Sequence, residues 1–410
     1  MRKILVIFLV LASCINSYDF NQEDSPGYLV VEGYVSDRAG DSGIKLSRSG
    51  NFQNKNFEWV SNAEVIVIEN EIDEHPFAYH DKGWYRPVEE NFSGENENSY
   101  RLKILLEGQV YESDLVNLVS SLAIDSLSFK SVLINQSGDQ VENPRLELQI
   151  TTNIDENASR YYIYSFEETW RAVAWLSSDR TITPKFIYDE NNIPIYLEFE
   201  TREYDNLTEC WPSNNVVGIN TTTTEGLTRN QLINVPIFPV SLESDRLLYR
   251  YSVLVNQYAI SREAHYYFNM VKEFSESSGF LYDIQPGFIA GNIHNKSTPD
   301  ENVIGIFYAA SHTSARIFKS FSELSSQEKS IVRGHLPGCE FIEYEYPDIP
   351  INSVPDAELT EHLLFLKDSL LQEAGLVISY YDSEENDDGI PTMYIELSDY
   401  HCVDCRVYGS

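Results

Sequence analysis

Five cysteines carry the most specific chemistry in this 410-residue sequence. Cys14 closes the tetrapeptide Leu11-Ala12-Ser13-Cys14, an apolar residue and two small ones followed by a thiol. That spacing is a lipobox: small residues let a signal peptidase close around the backbone, and the thiol is the nucleophile that accepts diacylglycerol. Arg2 and Lys3 precede it, and Ile4 to Ala12 carries no polar or charged side chain. Such a run falls well short of the about 20 apolar residues that cross a bilayer, but it has the length of a secretory signal's apolar core. The expectation is a signal peptide over residues 1–13, lipid attachment at Cys14, and a chain anchored to a membrane without spanning it.

Cys210, Cys339, Cys402 and Cys405 remain, an even number suited to disulfides in an oxidising compartment, with three connectivities open. Cys402-Val-Asp-Cys405 has C-x-x-C spacing. Redox catalysis would want that motif at a helix N-terminus, where the thiolate is stabilised; here it follows the strand-like Met393–Leu397, so a structural disulfide is favoured. Zinc could draw on Cys210, Cys339 and His401, but their spacing gives it no support. The run Asp382-Ser-Glu-Glu-Asn-Asp-Asp-Gly389 offers oxygen ligands for calcium without EF-hand spacing, and reads better as a solvated loop. H-E-x-x-H, G-x-S-x-G and phosphate-loop patterns are missing, and the eight histidines are scattered. With 64 acidic residues, chance carboxylate pairs are guaranteed, so a glycosidase reading gains nothing from them. The expectation is a protein without catalytic residues, metal or cofactor.

The elements that position these residues read as mainly β. Hydrophobic residues make up 42% of the chain, a globular fraction. Acidic residues outnumber basic ones 64 to 29, and the net charge of −35 repels phosphate, which excludes nucleic acid as a partner. Residues 14–27, ending in Pro26-Gly27, form a polar tether. Short alternating segments fill residues 28–118: Tyr28–Val35, Ile44–Arg48, Ala63–Ile68, Gly83–Tyr85, Ser99–Leu106 and Gln109–Ser113. Alternation with regular turns predicts an antiparallel sandwich. A larger β-rich region over 119–410 contains Arg145–Thr151, Tyr161–Phe166 and Ile195–Glu200, so the chain reads as two consecutive β-sandwich domains, Ig-like or transthyretin-like. Helices are expected in the C-terminal half near 261–278, capped by Ser261, and near 356–374, with Leu359, Leu363, Leu366 and Leu370 on one stripe. Ser325-x-x-Glu328 has capping-box spacing. The 27 tyrosines, 20 phenylalanines and 5 tryptophans suit sheet cores, protein interfaces and sugar stacking alike.

Several pieces in order resemble a known family. They are the lipobox, Val30-Val-Glu-Gly33, Ile44-Lys-Leu-Ser-Arg-Ser49 and Asn62-Ala-Glu-Val65. Then come Gln257-Tyr-Ala-Ile-Ser-Arg-Glu-Ala264, Ile284-Gln-Pro-Gly-Phe-Ile-Ala-Gly-Asn-Ile293, Gly305-Ile-Phe-Tyr-Ala-Ala-Ser311 and Cys402-Val-Asp-Cys-Arg406. On these the chain resembles the Bacteroidota outer-membrane lipoproteins grouped as domain of unknown function 4249; the region 356–374 is a departure from the family's pattern. The resemblance implies a first domain like the non-catalytic transthyretin-like sandwich of carboxypeptidase regulatory domains. It implies an accessory lipoprotein of a TonB-dependent outer-membrane barrel, lipid-anchored and facing the cell exterior, with no catalytic residues to carry over. A free-standing glycan- or peptide-binding surface module is the alternative, and a hydrolase with an unrecognised site the third.

Overall fold

The computed structural model describes residues 27–49, 58–134, 140–174, 180–203, 209–277, 289–334, 341–347, 364, 376–385, 391–399 and 405. Nine strands come first: β1 (Leu29–Ser36), β2 (Gly43–Arg48), β3 (Glu58–Trp59), β4 (Glu64–Glu69), β5 (Asp73–Tyr79), β6 (Trp84–Pro87), β7 (Ser99–Leu106), β8 (Gln109–Ser113) and β9 (Val116–Asn117). Next are β10 (Ile124–Ile134), β11 (Gln140–Thr152), β12 (Tyr161–Trp170), β13 (Ala172–Val173), β14 (Arg180–Tyr188), β15 (Pro194–Glu203), β16 (Glu209–Cys210), β17 (Ser213–Thr223), β18 (Val235–Ser241) and β19 (Arg250–Ile260). After α1 (Arg262–Ser277) follow β20 (Ile293–Asn295), β21 (Ile304–Ser320), α2 (Ser326–Gly334), β22 (Phe341–Pro347), β23 (Leu376–Glu385) and β24 (Pro391–Asp399).

The fold is mainly β, as alternation predicts. In β7 the apolar positions Tyr100, Leu102, Ile104 and Leu106 are buried and the intervening ones are not, the period-2 pattern of a strand with one face on a core. α1 begins where Ser261 was expected to cap it: Ser261 Oγ accepts from the Ala264 N–H at 3.2 Å, and Glu263 lies in the first turn. The expected helix near 356–374 lies outside the described residues, apart from Leu364, which is helical.

One sheet runs through most of the molecule, in the order β17-β12-β19-β21-β1-β2-β6-β5-β4-β7-β8-β20. A three-stranded sheet, β10-β11-β18, packs on its β12–β19 portion as a sandwich. Leu146, Leu148 and Ile150 of β11 share a core with Tyr162, Tyr164 and Phe166 of β12 and Val253 and Val255 of β19. Phe166 stacks on Phe238 with ring centroids 4.7 Å apart. The second core, inside strands β1 to β8, is completed from far along the chain by Ile293, Val303, Phe307 and Ala309. The two cores are therefore interleaved in sequence, with the 17-residue β21 reaching into both.

The link is the parallel pairing of β1 with β21, from Val30↔Ile304 to Ser36↔Ala310. Gly305 makes it possible. Its φ is +117°, and a Cβ there would lie 1.8 Å from the Val31 carbonyl oxygen. The other end of the same curled sheet returns to β21. Asn292, one residue before β20, donates from Nδ2 to the Phe307 carbonyl at 2.7 Å and accepts the Phe307 N–H on Oδ1 at 2.9 Å. One amide side chain thus supplies the two hydrogen bonds that a neighbouring strand would, and the roll formed by β21, β1–β8 and β20 closes. Gly291 lies against the same seam, where a Cβ would meet the Gly305 carbonyl at 1.5 Å.

The roll holds a half-buried polar knot as well. Glu69 accepts from Tyr100 Oη at 2.7 Å, from Asn98 Nδ2 at 2.7 Å and from His75 Nε2 at 3.1 Å. Burial alone would raise its pKa; the bonds from Tyr100, Asn98 and His75 outweigh it and hold the carboxyl below the ordinary value.

Replacing Asn292 by Ala strands a buried N–H and a buried C=O on Phe307. Each costs about 1–3 kcal/mol, so Asn292→Ala should lower unfolding free energy in urea by about 2 kcal/mol or more. A loss within about 0.5 kcal/mol, the range of an ordinary surface substitution, would show that the seam does not hold the roll.

Candidate functional site

Three strands of the sandwich end together. Trp170, the last residue of β12, faces Tyr251, and Arg250, the first residue of β19, faces Ser320 at the end of β21. A 3-10 turn over Asp245–Leu247 leads into this end, with Ser244 Oγ accepting from the Arg246 N–H at 3.3 Å. α2 adds a fourth wall. Its predicted capping box is formed: the Ser325 N–H donates to Glu328 Oε2 at 2.5 Å, and the Glu328 N–H donates to Ser325 Oγ at 3.3 Å. The helix so started carries Arg333 in its last turn.

Between these elements lies a cleft of about 560 Å³, lined by Trp170, Arg171, Tyr249, Arg250, Phe321 and Arg333 among others. Arginines and rings alternate around it. Arg171 lies over Tyr249 at 5.4 Å, Arg246 over Trp170 at 4.7 Å, Arg250 over Phe318 at 4.8 Å and Arg333 over Phe321 at 5.2 Å. Such stacking contributes about 0.5–1 kcal/mol at exposed sites, comparable to an exposed ion pair. Its geometric consequence differs. A ring occupies the face of a guanidinium and leaves the N–H fork at its edge free, whereas a carboxylate uses the fork.

Two of the four arginines also meet carboxylates. Arg171 donates to Glu209 Oε2 at 2.9 Å; that bond raises the arginine's pKa and lowers the glutamate's. Arg246 donates to Glu168 Oε2 at 2.5 Å, and Glu168, only 3% exposed, also accepts from Tyr251 Oη at 2.7 Å and Asn214 Nδ2 at 3.2 Å. Burial, followed by the Glu168 charge, pushes the Tyr251 hydroxyl well above the usual phenol value, so it stays a donor. Arg250 and Arg333 have no ion-pair partner among the described residues. Beside them, the Trp170 indole N–H and Arg171 Nε are buried with no acceptor among the described residues. Asp245 is the one acid among the described residues that line the cleft.

The cysteines bear on this site. Cys210 and Cys405 form a disulfide, with Cα atoms 5.6 Å apart, and Cys405 is buried in the sandwich core. Cys210 pairs with Ala172 across the β13–β16 ribbon, and Glu209 with Val173. The bridge thus braces the segment that carries Arg171 and its partner Glu209. Cys14, Cys339 and Cys402 lie outside the described residues. Of the acidic run 382–389, Asp382 to Glu385 are strand and not loop, extending β23 with pairs from Asp382↔Tyr394 to Glu385↔Pro391; 386–390 lie outside the described residues.

The histidines take structural partners. His265 meets Asn269 Nδ2 at 3.1 Å, and His312 meets Asn256 Oδ1 at 3.0 Å; burial lowers the pKa of both. Where the roll joins the sandwich, Tyr34 stacks on Tyr308 at 5.7 Å and meets Tyr258 edge-on at 6.3 Å. Burial first, then the Asp41 charge, pushes the Tyr34 hydroxyl up to about 12. A second hollow of about 790 Å³ lies beneath α1, lined partly by Arg262, Tyr266 and Tyr308. No group of three His, Cys, Asp or Glu suited to a metal occurs among the described residues, and none of their helices is long and apolar enough to cross a membrane.

The cleft residues were missed in the sequence because each arginine is unremarkable alone. The usable signal was the doublets Trp170-Arg171 and Tyr249-Arg250, at the facing ends of two paired strands. The chain belongs to the family described as a domain of unknown function, DUF4249, whose model matches residues 15–316. The match takes in the roll, β12, β19, α1 and most of β21, and stops before Phe321 and α2. No curated protein matches the chain.

Closing a loop of 195 residues, the disulfide should contribute about 3–5 kcal/mol. Urea unfolding of a Cys210→Ala/Cys405→Ala double variant without reductant should show that loss. A change under about 1 kcal/mol would put the ribbon's stability in its hydrogen bonds and core contacts instead.

Proposed function

We propose that the protein is a lipid-anchored outer-membrane lipoprotein acting as a non-enzymatic accessory subunit of a TonB-dependent or other outer-membrane barrel, in uptake or assembly. The observation that carries this reading is the position of β1. It begins two residues into the described chain, just after the expected tether, and it is hydrogen-bonded to β2 of the roll on one side and to β21 on the other. The first strand among the described residues is thus a central strand of the sheet that joins both cores. A body built this way turns about its tether as a unit, as a lid on a barrel must. The lipobox at Cys14 supplies the anchor, and the family resemblance supplies the barrel.

A free-standing surface module that binds glycan or peptide is the second reading, and the arginine-lined cleft favours it. Affinity purification of the tagged full-length chain from its native outer membrane separates the two. The accessory reading expects a barrel protein in stoichiometric amount, lost when Cys14→Ala removes the anchor. Recovery of the chain alone, under conditions that preserve other membrane complexes, favours the free-standing binder.

A further inference from the structure

We propose that the cleft at the joint end of β12, β19 and β21 binds a small ligand through an oxyanion group, carboxylate or sulfate, with Arg250 and Arg333 as its clamps. Four observations converge. The chain carries −35 net charge, yet four arginines gather on this one end of the sandwich. The two that lack a carboxylate among the described residues, Arg250 and Arg333, are those whose faces rest on Phe318 and Phe321. Their edge N–H groups are left for an acceptor from outside, and the guanidinium fork matches an oxyanion two bonds at a time. Arg171 and Arg246 are already committed to Glu209 and Glu168, and of the two only Arg171 is among the residues that line the cleft.

Size sets the ligand class. A cleft of about 560 Å³ falls in the range that holds small molecules. Repulsion from the acidic surface elsewhere would keep anions off the rest of the protein, so the site has to win locally, by directed bonds. Asp245 at its edge disfavours ligands whose negative charge spreads in that direction. The site is independent of the barrel: a chain that works alone would still hold it.

The test is isothermal titration calorimetry of the full mature chain in detergent micelles at low salt. The probes are citrate, galacturonate, galactose 6-sulfate and neutral galactose. The inference expects saturable one-site binding of at least one of the three anions and none of galactose; whether citrate and galacturonate or galactose 6-sulfate binds more tightly tells carboxylate from sulfate. Arg250→Gln and Arg333→Gln, both at exposed positions, should each weaken binding about tenfold or more, with unfolding midpoints unchanged. Arg101→Gln on the roll, which removes the same charge far from the cleft, should leave binding as it was. The inference is overturned if no anion binds saturably, if galactose binds as well as galacturonate, if the two cleft variants bind like the parent, or if Arg101→Gln weakens binding as much as they do.

Discussion

The parallel pairing of β1 with β21 is the constraint on which the rest of this molecule depends. It sets residues 30–36 against 304–310, so the loop it closes is long and its closure costs chain entropy. Three features favour the closure. Gly305 adopts a backbone conformation that lets it pass the Val31 carbonyl. Asn292 completes the hydrogen bonding on β21 where no strand is available. Phe307, fully buried, fills the roll from a strand that belongs equally to the sandwich. Without the pairing, the core inside the roll would lack the four side chains it takes from residues 293–309.

Much of the fold was legible in the sequence, for a physical reason. Strands with one face on a core must alternate, and Ser99–Leu106 and Tyr161–Phe166 do. Helix starts need a side chain for their orphan N–H groups, and Ser261 and Ser325 declare theirs. What alternation does not encode is which strand lies next to which. Ile304–Ser320 is buried through most of its first half, and its role as the bridge between two cores depends on partners more than two hundred residues away. Through that bridge the two hydrophobic cores draw on interleaved stretches of the sequence. The acidic run 382–389 misled in the other direction: charge suggested a loop, but cross-strand pairing carries β23 on to Glu385.

The site was less legible than the fold. Cysteine spacing pointed to disulfides and could not choose the pair; the choice is made by the β13–β16 ribbon, which brings Cys210 to the sandwich core where Cys405 is buried. The arginine cleft has no linear signature, since it is assembled from the ends of three strands, a 3-10 turn and the last turn of α2. Its organisation follows from the chemistry of guanidinium, which can rest on a ring without giving up its hydrogen-bonding edge. In a strongly acidic chain, that is a way to keep the hydrogen-bonding edges of Arg250 and Arg333 available.

Native-state hydrogen exchange tests the central claim, that the roll and the sandwich are one cooperative body held by β1 and β21. If the pairing integrates them, amides of β4, β7 and β8 in the roll and of β12 and β19 in the sandwich should exchange through the same global opening, with protection equal to the unfolding free energy and the same dependence on denaturant. If the roll amides exchange at a distinctly lower free energy, while β12 and β19 remain protected, the two cores open separately, and the account of a single body built on the β1–β21 pairing is contradicted.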